Sequence, residues 1–203
     1  LAARARLHPQ RLQVVGMGFG LSGYDWPSEK EMMVQSIDSL GIDKPYQFVN
    51  DVVIGIIAGT TEGWGIAVDA GTGNNVRGRD KQGRIGRITG NSVRFGEFGG
   101  AGEMVWRAKI AVTYAWTQRG PKTQLTQMMM DYAEVNTEEE LIEGLAMDHI
   151  HLPPSLARQI FKLAEHGDGV AKQVVTSSAK DLAENANAVI RQLALQNDSW
   201  EVI

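Results

Sequence analysis

Tyr46-Gln47-Phe48-Val49-Asn50-Asp51 leads directly into Val52-Val53-Ile54-Gly55-Ile56-Ile57-Ala58. Residues 46–49 have the aromatic and β-branched character of a strand. Residues 52–58 continue as a short apolar helix, so Asn50 and Asp51 fall where strand becomes helix. Upstream, residues 12–18 read as an earlier strand running into Gly16-Met17-Gly18-Phe19-Gly20. Its near-continuous apolar character predicts burial on both faces. Between the two strands, Ser22-Gly23-Tyr24-Asp25-Trp26-Pro27 is a turn. Ser28 with Glu31 predicts a capping box, Met33, Ile37 and Leu40 an apolar stripe, and Gly41 the helix stop. A β-α-β-α series predicts a parallel sheet covered by helices, hence an α/β fold.

The texture then changes. Residues 59–63 read as a connector between two lobes, residues 1–60 forming one and 61–203 the other. Residues 64–69 are a strand, Ala70-Gly71-Thr72-Gly73 a sharp turn, and residues 75–79 and 84–88 pair around Asp80-Lys81-Gln82-Gly83 as an antiparallel meander. A helical region follows. Val105, Ala108, Val112 and Ala115 share a face of a helix over 104–118 that Gly120-Pro121 stops. Thr137 with Glu140 is a capping box, and Ser155 opens a helix using Leu156, Ile160 and Leu163. Gly167-Asp168-Gly169 breaks it before a long helix, and residues 200–203 begin a further strand.

Apolar content of 43% and charged content of 22% predict a folded domain rather than a disordered chain. A net charge of -4 without a dense Lys/Arg run argues against a nucleic-acid partner. The absence of cysteine excludes disulfides, thiolate metal sites and Cys nucleophiles. It also fits a cytoplasmic location. No apolar stretch approaches the roughly 20 residues of a membrane span. Residues 1–6 read as the tail of a helix rather than a transit peptide, and the missing initiator Met predicts an N-terminus further upstream.

Three places carry chemistry. Asp51 sits at the carboxyl end of a strand, where open α/β sheets bind ligands. Its carboxylate either caps the N–H groups of Val53 or Ile54, or acts in catalysis. Gly71-Thr72-Gly73-Asn74 is either a plain hairpin turn or a phosphate loop, in which backbone N–H groups and a Thr hydroxyl face an anion. Gly96-Glu97-Phe98-Gly99-Gly100-Ala101-Gly102-Glu103 leads into a helix, so it is an anion site or a mobile glycine loop. Glu97 or Glu103 there would bond a polyol or cap the helix. His149 and His151 lack further ligands at metal-binding spacing and read as surface loop. Met128 to Met130 and the five tryptophans read as packing.

In order and spacing, these segments resemble the N-acetylglucosamine kinase and BadF/BadG/BcrA/BcrD-type ATPase family of the actin/hexokinase-like superfamily. The resemblant segments are Gly18-Phe19-Gly20-Leu21-Ser22-Gly23, Val49-Asn50-Asp51, Gly71-Thr72-Gly73-Asn74, Gly96 to Gly102 with Trp106, and Ala164 through Gly167-Asp168 to Ala171. The resemblance implies a two-lobed, ribonuclease H-like fold truncated at both ends. The family's first phosphate loop would lie upstream of Leu1 and its adenosine segment past Ile203. One departure concerns the glycine-rich loop. Where the amino-sugar kinases carry Gly-Asp-Glu-Gly-Ser, Gly100 takes the Asp position, Ala101 the Glu and Glu103 the Ser.

The resemblance also implies a function: transfer of the γ-phosphate of ATP, with Mg²⁺, to a hydroxyl of a hexose or N-acetylhexosamine. Asp51 is then the base. Gly71, Thr72, Gly73 and Asn74 hold phosphates. Ser22, Asn50, Asn74, Glu97, Gly99, Gly100 and Glu103 touch the sugar. No protein-bound metal is expected. The expected partner is a small-molecule sugar, with a homodimer as the assembly option and neither nucleic acid nor membrane. Two alternatives stand beside this: an ATPase that activates a partner enzyme, weakened by the lack of cysteines, and a non-catalytic sugar sensor.

Overall fold

The computed structural model describes residues 14–203. The expected helix tail at 1–6 and the beginning of the first strand, at 12–13, lie outside the described residues. Strand β1 (Met17–Leu21) pairs in parallel with β2 (Tyr46–Asn50), Met17 facing Tyr46 and Leu21 facing Asn50. Helix α1 (Lys30–Asp38) joins them, and α2 (Asp51–Gly59) follows β2 without a loop.

The first strand lies further along the chain than its apolar run predicts. Gly18 and Gly20 are inside it. Helix α2 crosses closely at Gly20, where a Cβ would come within 3.0 Å of Ile54 Cδ1, so Gly20 marks a helix–strand contact rather than the strand's end; a Cβ on Gly18 would meet nothing within 4 Å. The expected burial on both faces is not met, since Val15 and Met17 are exposed. The α1 capping box at Ser28 is absent too. A 3-10 turn (Pro27–Glu29) precedes α1, and the Glu29 carboxylate accepts from the N–H groups of Asp25 and Trp26, both at 2.7 Å. Ile37 is buried as expected, but Leu40, beyond the last helical turn, is exposed.

The second sheet contains β3 (Gly65–Ala70), β4 (Asn74–Arg79), β5 (Ile85–Arg87) and β6 (Glu201–Val202), in the order β5-β4-β3-β6. The meander β3-β4-β5 is antiparallel, as predicted, and β6 joins β3 in parallel. The buried Asp80 carboxylate shapes the β4–β5 turn by accepting from Gln82 N–H at 3.0 Å and Arg84 N–H at 2.7 Å. Beyond β5, the Gln192 side chain closes the sheet: its Oε1 accepts from Arg87 N–H at 2.8 Å and its Nε2 donates to Arg87 C=O at 3.0 Å.

Alternate residues of β4 face opposite ways. Val76 and Gly78 meet α7 (Gly169–Gln192) through Val189 and Leu193. Arg77 points to the turn before α1, where it pairs with Asp25. The sheet therefore has α7 on one face and α2 with the first sheet's turn on the other.

Helices α3 (Ala101–Trp116), α4 (Gln124–Ala133), α5 (Glu138–Ala146), α6 (Ala157–Glu165) and α7 enclose the larger core. Met129, Leu125, Leu141 and Ile160 are fully buried there, which bears out the methionine run as packing. The Thr137–Glu140 capping box is present. Helix α3 starts earlier and ends earlier than its stripe predicts. Gln118 takes φ 59°, and the N–H groups of Arg119 and Gly120 both turn back to Tyr114 C=O.

Two contacts hold this half to the sheet and to itself. First, α3 begins on the β3–β4 turn: Ala101 N–H donates to Gly71 C=O at 2.9 Å and Gly102 N–H to Thr72 C=O at 2.7 Å. A Cβ on Gly100 would lie 2.3 Å from both the carbonyl carbon and oxygen of Gly73. Second, Asp168 joins two helix starts. It caps α7 through Ala171 N–H at 2.8 Å, and accepts from Gln124 N–H at 2.7 Å and the Thr123 hydroxyl at the start of α4. Burial alone would push its carboxyl pKa up; the bonds from Ala171, Gln124 and Thr123 outweigh that and hold it below the usual carboxylate value.

Gly100→Ala is expected to cost about 1–3 kcal/mol, because backbone must move to admit the methyl; the urea-unfolding midpoint measures this. Asp168→Ala is expected to cost at least ~2 kcal/mol through the lost cap and the lost charge-assisted bonds. A lowered folded pKa means the carboxylate's stabilisation is present above the unfolded value of about 4 and is lost as pH falls through the folded value. Thermal melts from neutral to acid pH are therefore expected to show a smaller acid-dependent loss in Asp168→Asn than in the wild type.

Candidate active site

Asn50 and Asp51 divide the work at the start of α2. Asn50 is buried and is the cap: its Oδ1 accepts from Val52 N–H at 3.0 Å, while Nδ2 donates to Tyr24 C=O at 3.2 Å and Asp25 Oδ1 at 3.3 Å. Asp51 does not cap Val53 or Ile54. It is exposed at the first helical position, and its one hydrogen bond among the described residues is from Val52 N–H at 3.0 Å. A carboxylate at that position also gains from the helix dipole.

Asp51 acts on the second sheet through Arg77. Burial lowers the Arg77 pKa, the Asp25 carboxylate pushes it back up, Arg87 lowers it, and the charge of Asp51 also raises it. Arg77 is three residues along β4 from Asn74, at the end of the glycine turn, roughly 10 Å at strand spacing.

In the turn, Gly71, Thr72 and Gly73 are exposed, and the Thr72 hydroxyl has no partner among the described residues. The outer surface of the turn is thus open to solvent. The expected anion site at the start of α3 is a different matter. The Ala101 and Gly102 N–H groups are already bonded to the turn carbonyls, so the helix N-terminus is used for docking and not left for a ligand.

The glycine-rich loop is mostly internal. Glu97 is buried and its carboxylate accepts from Thr89 N–H at 2.5 Å, Thr89 Oγ1 at 2.8 Å and Asn91 N–H at 3.1 Å. The Asn74 side chain donates to Glu97 C=O at 3.0 Å and accepts from Asn185 Nδ2 at 3.1 Å. Gly99, at φ +145°, sits against Leu182 of α7. Gly100 sits against Gly73. Expected as sugar contacts, the Asn74 side chain, Glu97, Gly99 and Gly100 instead build the loop, because each fills its bonds or its space within the protein. Glu103 differs. One carboxylate oxygen accepts from the Ser92 hydroxyl, and the other, Oε2, is buried without a partner beside Gly100. Ser22 is exposed at the end of β1, two residues before Tyr24.

Asp25, Arg77, Ser92 and Asn185 were not singled out from the sequence. Asn185 left a trace: it falls between Leu182 and Ala186 on the packed side of α7, where an amide needs a partner. Among the described residues, no three His or acidic side chains gather as a metal site, and no helix is long and apolar enough to cross a membrane. His149 and His151 are in an exposed loop.

No family model matches this chain. It is 29% identical over 180 residues to the N-acetylmuramic acid/N-acetylglucosamine kinase of Clostridium acetobutylicum, covering 88% of this chain and 59% of that protein. It is 28% identical over 185 residues to the N-acetyl-D-glucosamine kinase of Dictyostelium discoideum, covering 88% and 58%. The chain thus spans about three fifths of the length of these curated relatives. Among solved structures it is similar to a Chromobacterium violaceum protein assigned as an N-acetylglucosamine kinase, with TM-score 0.67, 20% identity and coverage of 92% and 62%. A second, from Porphyromonas gingivalis and assigned likewise, gives TM-score 0.54, 14% identity and coverage of 89% and 71%. Both curated relatives are named as kinases, neither as a partner-activating ATPase nor as a sensor. In sequence this chain is similar to kinases of N-acetylated amino sugars, and its fold is their actin/hexokinase-like fold.

Proposed function

We propose that the protein of which this chain is part transfers the γ-phosphate of ATP to a hydroxyl of an N-acetylated hexosamine. The observation that carries this is the division between Asn50 and Asp51. Asn50 takes over the capping of α2, which leaves the Asp51 carboxylate exposed at the carboxyl end of β2 with Val52 N–H as its one partner among the described residues. Asp51 accepts the proton of the attacking hydroxyl as its oxygen bonds to phosphorus and the bond to the leaving diphosphate breaks. A general base of this kind contributes roughly 10²–10⁴-fold, and positioning and charge stabilisation supply the rest.

The Thr72 hydroxyl and the backbone of Gly71, Gly73 and Asn74 hold the phosphates in this reading. Mg²⁺ would accompany the phosphates and neutralise part of their charge. Asn50, Ser22 and Glu103 face the sugar, and Glu97, Gly99 and Gly100 support them from behind. An N-acetylated sugar is favoured over a plain hexose because the curated relatives are named for N-acetylglucosamine, one of them also for N-acetylmuramic acid. The two lobes meet at α2, which packs on both sheets. The reading implies a cytoplasmic protein, where ATP is available, with a homodimer as the assembly option.

Asp51→Asn in the intact protein is expected to leave the melting curve unchanged and to lower turnover by about 10² or more. An ADP-release assay with N-acetylglucosamine checks this, and release in the wild type is expected to require the sugar. Near-normal turnover in the variant would remove Asp51 from the mechanism.

A further inference from the structure

Three residues far apart in sequence meet at one carboxylate oxygen. Asp25 Oδ1 accepts from the Arg77 guanidinium and from Asn50 Nδ2, the latter at 3.3 Å. Asp25 is itself held in the turn before α1, where its N–H donates to the Glu29 carboxylate at 2.7 Å. This oxygen therefore ties β4 of the second sheet to the residue that caps α2.

Asn50 has one orientation in this arrangement. Its Nδ2 faces Tyr24 C=O and Asp25 Oδ1, which only accept, and its Oδ1 faces Val52 N–H, which only donates. Turning the amide over would set like against like at every contact. Val52 N–H is also 3.0 Å from Asp51 Oδ1, the same distance as from Asn50 Oδ1. The two side chains share that donor. Without Asn50, the helix N-terminus and its dipole would fall to the Asp51 carboxylate alone.

Arg77 is a second competitor for Asp51. It is 3% exposed, Asp25 is its one ion-pair partner among the described residues, and the charge of Asp51 acts on it through space. The other elements against α2 offer little charge. Strands β1 and β2 carry none, β3 carries Asp69 beside Gly71, and the second arginine of β4, Arg79, donates to Gly63 C=O at 2.8 Å. Arg87 on β5 adds a further positive charge near Arg77.

We propose that Asp25 and Arg77 are positioning residues for the base: Asp25 locks the Asn50 amide and occupies Arg77, and so leaves Asp51 Oδ2 to the hydroxyl that is deprotonated. This rests on the sugar-kinase reading above, and both residues act through Asp51 rather than on a reactant.

The pH profile of N-acetylglucosamine-dependent ADP release tests the proposal. Asp51 works as a base only when ionised, so acid removes activity by protonating it. Asp25→Asn loosens Asn50 and turns the uncompensated Arg77 charge on Asp51, and both changes favour the ionised carboxylate. The acid limb of kcat is expected to move down by about 0.5–1 pH unit. A carboxylate so held is a poorer base, and kcat is expected to fall about 10-fold with KM for ATP unchanged. Arg77→Met removes the cation and keeps the Asp25 anion, so the limb is expected to move up by a similar amount. Loss of folded protein scales a whole profile and does not produce opposite shifts. Arg77→Met leaves behind Asp25, whose side chain is 26% exposed and open to water, so it carries the test alone if Asp25→Asn does not fold. Limbs that stay in place, or that move the same way, while the wild type shows sugar-dependent release would overturn the positioning role and leave the kinase reading standing. A raised KM for ATP with kcat intact would assign the pair to the nucleotide and overturn it as well. Absence of sugar-dependent release in the wild type would overturn both readings.

Discussion

Two backbones touch where the β3–β4 turn meets the first residue before α3. The contact between Gly73 and Gly100 is closer than any side chain permits, and the N–H groups of Ala101 and Gly102 complete it by bonding to the turn's carbonyls. The position of the turn, the direction of α3 and the path of the loop from Glu97 to Gly100 all follow from it. Helix N-terminal N–H groups normally need caps or ligands. Here a neighbouring hairpin supplies the acceptors, so the sheet and the helical half are joined through main-chain bonds that the missing side chain at Gly100 lets form. The turn keeps its outer surface, with Thr72, open to a ligand.

The same economy of bonding governs the site around it. Each polar group behind the surface has an internal partner: Glu97 holds Thr89 and Asn91, and Asn74 links Glu97 to Asn185 of α7. Such satisfied networks fix geometry. The exceptions are few. Asp51 faces solvent, Thr72 is open, Glu103 Oε2 is buried and unmatched, and Arg77 and Arg87 carry unmet donors. Buried groups without partners are rare in folded proteins; among the described residues they are Asn75, Arg77 and Arg87 on β4 and β5, Glu103 and Arg107 on α3, and Ser178 on α7.

Much of the fold was legible because it rests on local signals. The strand-to-helix switch at Asn50, the meander around Asp80, the Thr137 capping box and the break at Asp168 each depend on residues a few positions apart. The misplaced first strand shows the limit. Gly18 and Gly20 read as the end of a strand, but both lie inside it, and Gly20 answers to Ile54 across the fold, which no local pattern reveals. The site divides in the same way. Asp51 and the glycine turn stood out by position and composition. Gly99 and Gly100 fall in the glycine-rich loop, yet their neighbours are distant in sequence, at Leu182 of α7 and Gly73 of the turn. Asp25 and Arg77 were overlooked for the same reason: 52 positions separate them, and neither is unusual alone.

Gln192 has an effect out of proportion to its size. An edge strand such as β5 presents peptide groups that invite another chain to pair with them. The Gln192 amide occupies the N–H and C=O of Arg87 from the side, as a neighbouring peptide would. One glutamine at the end of α7 therefore stands in for a missing strand, and denies the sheet a place from which intermolecular β-stacking could spread.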